Sequence, residues 1–241
     1  MMPADAQTTL RPGGRLKVLG VDFCADPAGA LFWPEQSLLV VADLHFEKGS
    51  AFAARGVFLP PYDTASTLAA LARLIAFYQP RCVVALGDSF HDCTAGQRIS
   101  TDDRRGIRGL QLGRDWIWIA GNHDQLLPAG VGGEPKAQFA LGPIVFRHEP
   151  AAGEVVGEIA GHLHPVARVA GRGGSVRRRS FVSNGARCVL PAFGAFAGGL
   201  NLFDIAFEPV FGPRQGSTPV LAHVIGRKAV YAVPHRLCLP D

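Results

Sequence analysis

Residues 37–48, SLLVVADLHFEK, decide how this chain folds. Residues 37–42 are an almost unbroken apolar run without polar alternation, the signature of a strand covered on both faces. The run ends in Asp43-Leu44-His45, so a carboxylate and an imidazole stand where the chain leaves the sheet. Open α/β sheets bind ligands at that rim. The arrangement returns down the chain. Residues 82–86 lead into Gly87-Asp88, and residues 115–120 into Gly121-Asn122-His123-Asp124. Residues 143–147 precede His148, and residues 155–160 precede Gly161-His162-Leu163-His164. Of the eight histidines only His91, His223 and His235 lie outside these five islands. Histidines scattered at random would not collect behind apolar strands beside glycine and aspartate.

Composition frames this reading. With 241 residues, 48% hydrophobic and 18% charged, the chain can bury a sizeable core. One domain over residues 16–241 is expected, preceded by a loose leader at 1–15. There is no apolar run of about 18 residues, so no membrane span is expected. The first fourteen residues lack the basic-then-apolar pattern of a secretory signal. Five cysteines, an odd number without a Cys-x-x-Cys pair, argue against a disulfide framework or zinc knuckle and for the cytoplasm. A net charge of +4 permits a polyanionic substrate without requiring one.

Strands are expected at 16–23, 30–33 and 37–42, with turn chemistry between them. Leu68, Leu71, Ile75 and Tyr78 recur at helical spacing after an N-cap at Asp63 or Thr64, until Pro80 stops the helix. Strands at 82–86 and 115–120 flank a more polar helix at 100–112. The second half reads as short strands in Gly-rich turns: 143–147, 155–160, 166–169, 178–183, 199–204, 220–225 and 229–233. A mostly antiparallel second sheet packed against the first is expected, with helices outside.

The islands supply metal chemistry. Asp43 and His45, two apart in an extended segment, would point to one side. Asp88 offers two oxygens that could bridge two ions. Asn122 adds an amide oxygen, and His148, His162 and His164 add imidazoles. Mixed N/O ligation favours Mn, Fe or Zn over Ca or Mg. Two such ions roughly 3.5–4 Å apart would activate water and clamp phosphoryl oxygens for in-line attack.

In this order the islands resemble the calcineurin-like metallophosphoesterases over roughly residues 37–165. The resemblance implies a four-layer α/β/β/α sandwich of two mixed sheets and a phosphodiester hydrolase using metal-bound hydroxide. It implies one metal on Asp43, His45, Asp88 and His164, and a second on Asp88, Asn122, His148 and His162. His123 would contact the scissile phosphate and protonate the leaving oxygen.

A finer resemblance rests on residues 43–48, on Gly87-Asp88-Ser89-Phe90-His91-Asp92 and on LPAFGAFAGGL at 190–200. These are similar to the bacterial DNA-ligase-associated metallophosphoesterases, the PdeM branch. That branch implies an endonuclease acting on DNA, working beside a DNA ligase and a helicase in repair; of the metals that this ligation favours, manganese is expected. Many relatives carry Asp or Asn three residues after the bridging aspartate, where this chain has His91. Either Asp92 supports His123 in its place, or His91 is a second proton carrier.

Other features carry structural readings beside functional ones. Asp124 is a loop residue or a hydrogen-bonding member of the site. Arg177, Arg178 and Arg179, with Arg172 and Arg187 near them in sequence, are a solvated basic hairpin or a grip on phosphates. Residues 171–175 read as a turn, and Phe193 and Phe196 as loop packing or a stacking surface. His223 and His235 read as structural. Competing functions with the same core are a small-molecule phosphodiesterase and a phosphomonoesterase. A non-catalytic scaffold would have lost ligands, and all are present.

Overall fold

A computed structural model describes residues 13–60, 62–171, 173–212 and 219–241. Twelve residues of the expected leader, together with Arg172, lie outside them. Gly14 and Arg15, placed in that leader from sequence, already belong to the first strand.

The first sheet runs in chain order: β1 (Gly14–Val18), β2 (Val21–Ala25), β3 (Leu31–Trp33), β4 (Leu38–Val41), β5 (Cys82–Leu86), β6 (Asp115–Ile119) and β7 (Glu134–Lys136). β1 to β4 form an antiparallel meander, and β4 to β7 are parallel. The helices α1 (Lys48–Ala53), α2 (Asp63–Tyr78), α3 (Ala95–Arg98) and α4 (Thr101–Gln111) occupy the parallel crossovers.

The second sheet contains β8 (Phe139–Leu141), β9 (Ile144–Arg147), β10 (Glu158–Ala160), β11 (Pro165–Gly171), β12 (Gly174–Ser183), β13 (Arg187–Val189) and β14 (Leu200–Asn201). Its order is β14-β11-β12-β13-β10-β9-β8. β15 (Leu221–Ile225) adds to β12, β16 (Val230–Pro234) to β15, and β17 (Cys238–Leu239) to β11. Most pairs are antiparallel, as expected, but β9, β10 and β13 run parallel at the centre. Both sheets therefore carry parallel strands whose C-terminal ends face one rim, and the five islands follow those ends.

Strand alternation sorts the core into layers. Val40, Val84, Leu86 and Ile119 meet Phe146, Ile159, Phe181 and Leu190 between the sheets. On the opposite face Leu39, Val41, Val83 and Trp118 pack against Leu68, Leu71, Leu74 and Ile75 of α2 and Ile107 of α4. Behind the second sheet Val182, Val189 and Val224 meet Phe207 and Val210. The result is the expected α/β/β/α sandwich, with a thin fourth layer: a 3-10 turn at Ile205–Phe207 and α5 (Glu208–Phe211). Among the described residues no helix is long and apolar enough to cross a membrane.

Two local expectations need correction. Residues 16–23 are two strands, because Leu19 (φ 48°) and Gly20 (φ 79°) form a turn with both residues left-handed. That is the geometry of a tight hairpin. The N-cap of α2 is Tyr62 without a side-chain bond. Asp63 instead accepts from Gly49 N (2.9 Å), and Thr64 Oγ1 accepts from Glu47 N (2.9 Å), so both polar groups anchor α1. Ser100 does cap α4, accepting from Asp103 N at 3.0 Å.

Candidate metal centre

The loop after β4 does not stay extended. Asp43 (φ 53°) and His45 (φ 46°) are both left-handed, and Leu44 between them is buried in the helix-side core. The two side chains converge through this kink rather than through strand alternation, which corrects the expected geometry. Asp88 (φ 45°), His162 (φ 68°) and His164 (φ 46°) adopt the same conformation. Each costs a non-glycine residue on the order of 1–2 kcal/mol, and such strain clusters where a site demands it.

Glycines let these loops touch. A Cβ on Gly121 would lie 2.2 Å from both Asp88 N and Asp88 Oδ1. A Cβ on Gly194 would lie 2.3 Å from the Leu44 carbonyl oxygen. Phe193 N donates to the Ala42 carbonyl (2.8 Å) and Gly194 N to the Asp43 carbonyl (3.1 Å). The 190–200 segment is therefore a buttress behind Asp43. Phe193 is buried in the helix-side core and Phe196 is half-buried.

Two groups of ligand atoms result, each within 4.8 Å: Asp43, His45 and His164, and Asp88, His148 and His162. In the first, His164 Nε2 lies 3.4 Å from both His45 Nε2 and Asp43 Oδ1. In the second, His148 Nε2 lies 3.2 Å from His162 Nδ1 and 3.5 Å from Asp88 Oδ1. The groups adjoin, since His148 Nδ1 is 3.7 Å from Asp43 Oδ1. Asn122 stands on the rim of the second group, in an open cleft of about 280 Å³ that it shares with Gly121, Gln138, Arg147, His148 and Glu149.

The electrostatics suit a cation. Asp43 and Asp88 are both buried. Burial, then the charges of His164 and Lys48, push His45 down to about 2, so its ring is neutral. Its Nδ1 is buried without a hydrogen-bond partner. Burial and the neighbouring His148 also lower His162. For His164 burial is outweighed by the hydrogen bond and charge of Asp43, and the net shift is upward. Imidazole nitrogens facing each other at 3.4 Å make a poor hydrogen-bonded pair and, once deprotonated, good metal ligands.

His123 joins neither group. Its side chain is half exposed, its N donates to Asp88 Oδ1 (3.0 Å), and its Nε2 is 3.9 Å from Asp88 Oδ2. The His91 ring is stacked on it at 5.5 Å and 14°. Asp92 instead accepts from Thr94 N (2.8 Å), Thr94 Oγ1 (2.7 Å) and Arg98 Nη2 (2.8 Å). Asp124 is buried and accepts from Gly121 N and Phe90 N, both at 3.0 Å. Burial, against those donors and with Asp88 nearby, raises its carboxyl to about 6.

The arginine run is dispersed by strand alternation. Arg177 pairs with Asp241 (3.2 Å), Arg179 donates to the Ala192 carbonyl (2.9 Å), and Arg178 points to the opposite face of β12. Arg187 is fully buried against Glu158 (2.5 Å), far from solvent. His223 is buried on β15, and His235 stacks on Phe203. All five cysteines are free, and none belongs to a ligand group. Lys48 and Arg147 are the site neighbours that sequence reading passed over. Both adjoin islands in the sequence, but nothing in their type or spacing assigned either a role.

No protein-family model matches this chain, and no curated protein sequence does. Among solved structures it is similar to the crystal structure of the Pseudomonas putida nuclease MPE. The two share 25% sequence identity, with 92% of this chain and 100% of that chain covered and a TM-score of 0.68.

Proposed function

We propose that this chain is a metal-dependent nuclease, a dinuclear phosphodiesterase that cleaves DNA. The observation that carries the proposal is the pair of adjoining histidine–carboxylate groups at one rim. The similarity to a nuclease over 92% of the chain supports a nucleic-acid substrate.

Asp43, His45 and His164 would hold one ion, and Asp88, His148 and His162 with Asn122 the other, Asp88 bridging. When bound, two divalent ions supply an activated water and neutralise the phosphoryl oxygens. The remaining work belongs to the chain. His123, half exposed and anchored through its backbone to Asp88, is placed to give its proton to the leaving oxygen. Asp124 fixes the 121–124 turn against the Asp88 loop, and His91 supports the His123 ring by stacking while Asp92 is engaged elsewhere. The open cleft beside Asn122 suits an extended strand better than an enclosed small ester.

The mixed N/O donors favour manganese as the native metal, the free cysteines a cytoplasmic setting, and the finer resemblance adds a DNA ligase and helicase as partners in repair. A grip on phosphate by Arg178 belongs to the same reading. The test is hydrolysis of a chromogenic phosphodiester, its monoester counterpart, and single- and double-stranded DNA, with Mn restored after chelation. Metal-dependent cleavage of diester and DNA is expected. His123→Ala is expected to retain Mn and lose about 10²–10⁴-fold on poor leaving groups. Monoester hydrolysis with intact DNA would overturn the nuclease reading.

A further inference from the structure

The cations around the centre fall into two sets. Arg98 is paired with Asp92, Arg147 with Glu158 and Arg177 with Asp241. Lys48 and Arg55, on α1 and the turn after it, form no ion pair among the described residues. The acid within electrostatic reach of Lys48 is Asp63, whose carboxylate accepts from Gly49 N.

Lys48 is half-buried, its Nζ 5.9 Å from the centre of the Phe52 ring. The Phe52 ring lies 5.6 Å from His91, which stacks on His123. Arg55 N donates to the Phe52 carbonyl (2.9 Å), which sets Arg55 on the same turn, and the charges of Lys48 and Arg55 both reach His91. Two unpaired cations beside a pocket built for divalent cations repel whatever binds there. An anion lying between them and the centre reverses the sign of that interaction. The scissile phosphate belongs at the ligand groups, so the anion one aromatic layer outward is a neighbouring phosphate of the same strand.

We propose that Lys48 and Arg55 form a phosphate track that grips the DNA backbone next to the scissile phosphate, on the His91 side. The proposal rests on the nuclease reading for its substrate. Lys48 fixes the near phosphate from a half-buried, preorganised position, and Arg55 takes the next from solvent.

The test is binding of a fluorescein-labelled oligonucleotide to chelator-treated protein across a salt series. Lys48→Gln and Arg55→Gln are each expected to weaken binding by about 3- to 10-fold. Each should reduce the slope of log K against log salt by about 0.7–0.9. Lys48→Arg should restore the slope, which a folding defect would not allow. Arg105→Gln, which removes a solvent-facing cation on α4 paired with Asp102, should leave it as it was. With Mn present, the rate on DNA should fall several-fold more than the rate on a chromogenic diester with one phosphate. An unchanged slope, or equal losses on both substrates, would overturn the track. A wild-type protein that cleaves no phosphodiester would overturn the nuclease reading, while the salt slopes would still decide the track.

Discussion

His45 concentrates the physical problem of this site in one ring. Folding strips it of water and sets it against His164, so the imidazole stays neutral down to about pH 2. In the unfolded chain the same group takes a proton near 6.5. Below 6.5 the unfolded state therefore binds more protons, and the stability contributed by neutral His45 is lost as pH falls through that window. His91 and His162, lowered mainly by burial, act in the same direction, and His164 opposes them. Between pH 6.5 and 5 the His45 contribution is about 2 kcal/mol. Urea unfolding of chelated protein at pH 7 and pH 5 should show this loss, and His45→Gln should shrink it. Equal pH dependence in the two proteins would refute the assignment.

At the scale of elements, the site is made by loops that the strands hold under strain. Five of the proposed ligand residues sit in left-handed backbone, and the 190–200 segment braces the Asp43 loop through the Ala42 and Asp43 carbonyls. Gly194→Ala places a methyl group against the Leu44 carbonyl and should cost about 1–3 kcal/mol. It should also weaken Mn binding at the Asp43 group. Leu71→Ala, in the α2 core away from the rim, should cost about 2–5 kcal/mol and spare metal affinity. Urea unfolding and titration calorimetry on both variants separate a brace from ordinary packing. Wild-type Mn affinity in Gly194→Ala would remove the brace.

Across the whole molecule, the proposed ligands are divided between the sheets. Asp43, His45, Asp88 and Asn122 leave the first, and His148, His162 and His164 leave the second. Metal binding would add a further tie between two layers that already meet through the apolar core and through bonds such as Phe193 N to the Ala42 carbonyl. At 100 times its dissociation constant, Mn should stabilise the fold by about 2.7 kcal/mol per site. Calorimetric melting should report this as one cooperative shift, and Asp88→Asn should diminish it for both ions. A protein whose melting ignores Mn, or an Asp88→Asn variant with normal metal content, would sink the shared site.

Much of this was legible in the chain itself. Buried parallel strands read as unbroken apolar runs because both their faces are covered, so β4, β5 and β6 and the residues beyond their ends stood out. The repeated junction of apolar strand with Asp, Asn or His marked the ligand types and their order. Short elements such as α1, β7, β13 and β17 left no such trace, since two to six residues carry too little periodicity to outweigh their loops. The left-handed kinks at Asp43 and His45 were equally hidden, because tertiary packing imposes them against local preference. Only the tertiary structure sorted the cations, engaging Arg177, Arg179 and Arg187 in pairs and carbonyl bonds while leaving Lys48 and Arg55 at the rim. Charge in a sequence is a count, and its partner is set by which strands and loops the fold brings within a few ångströms.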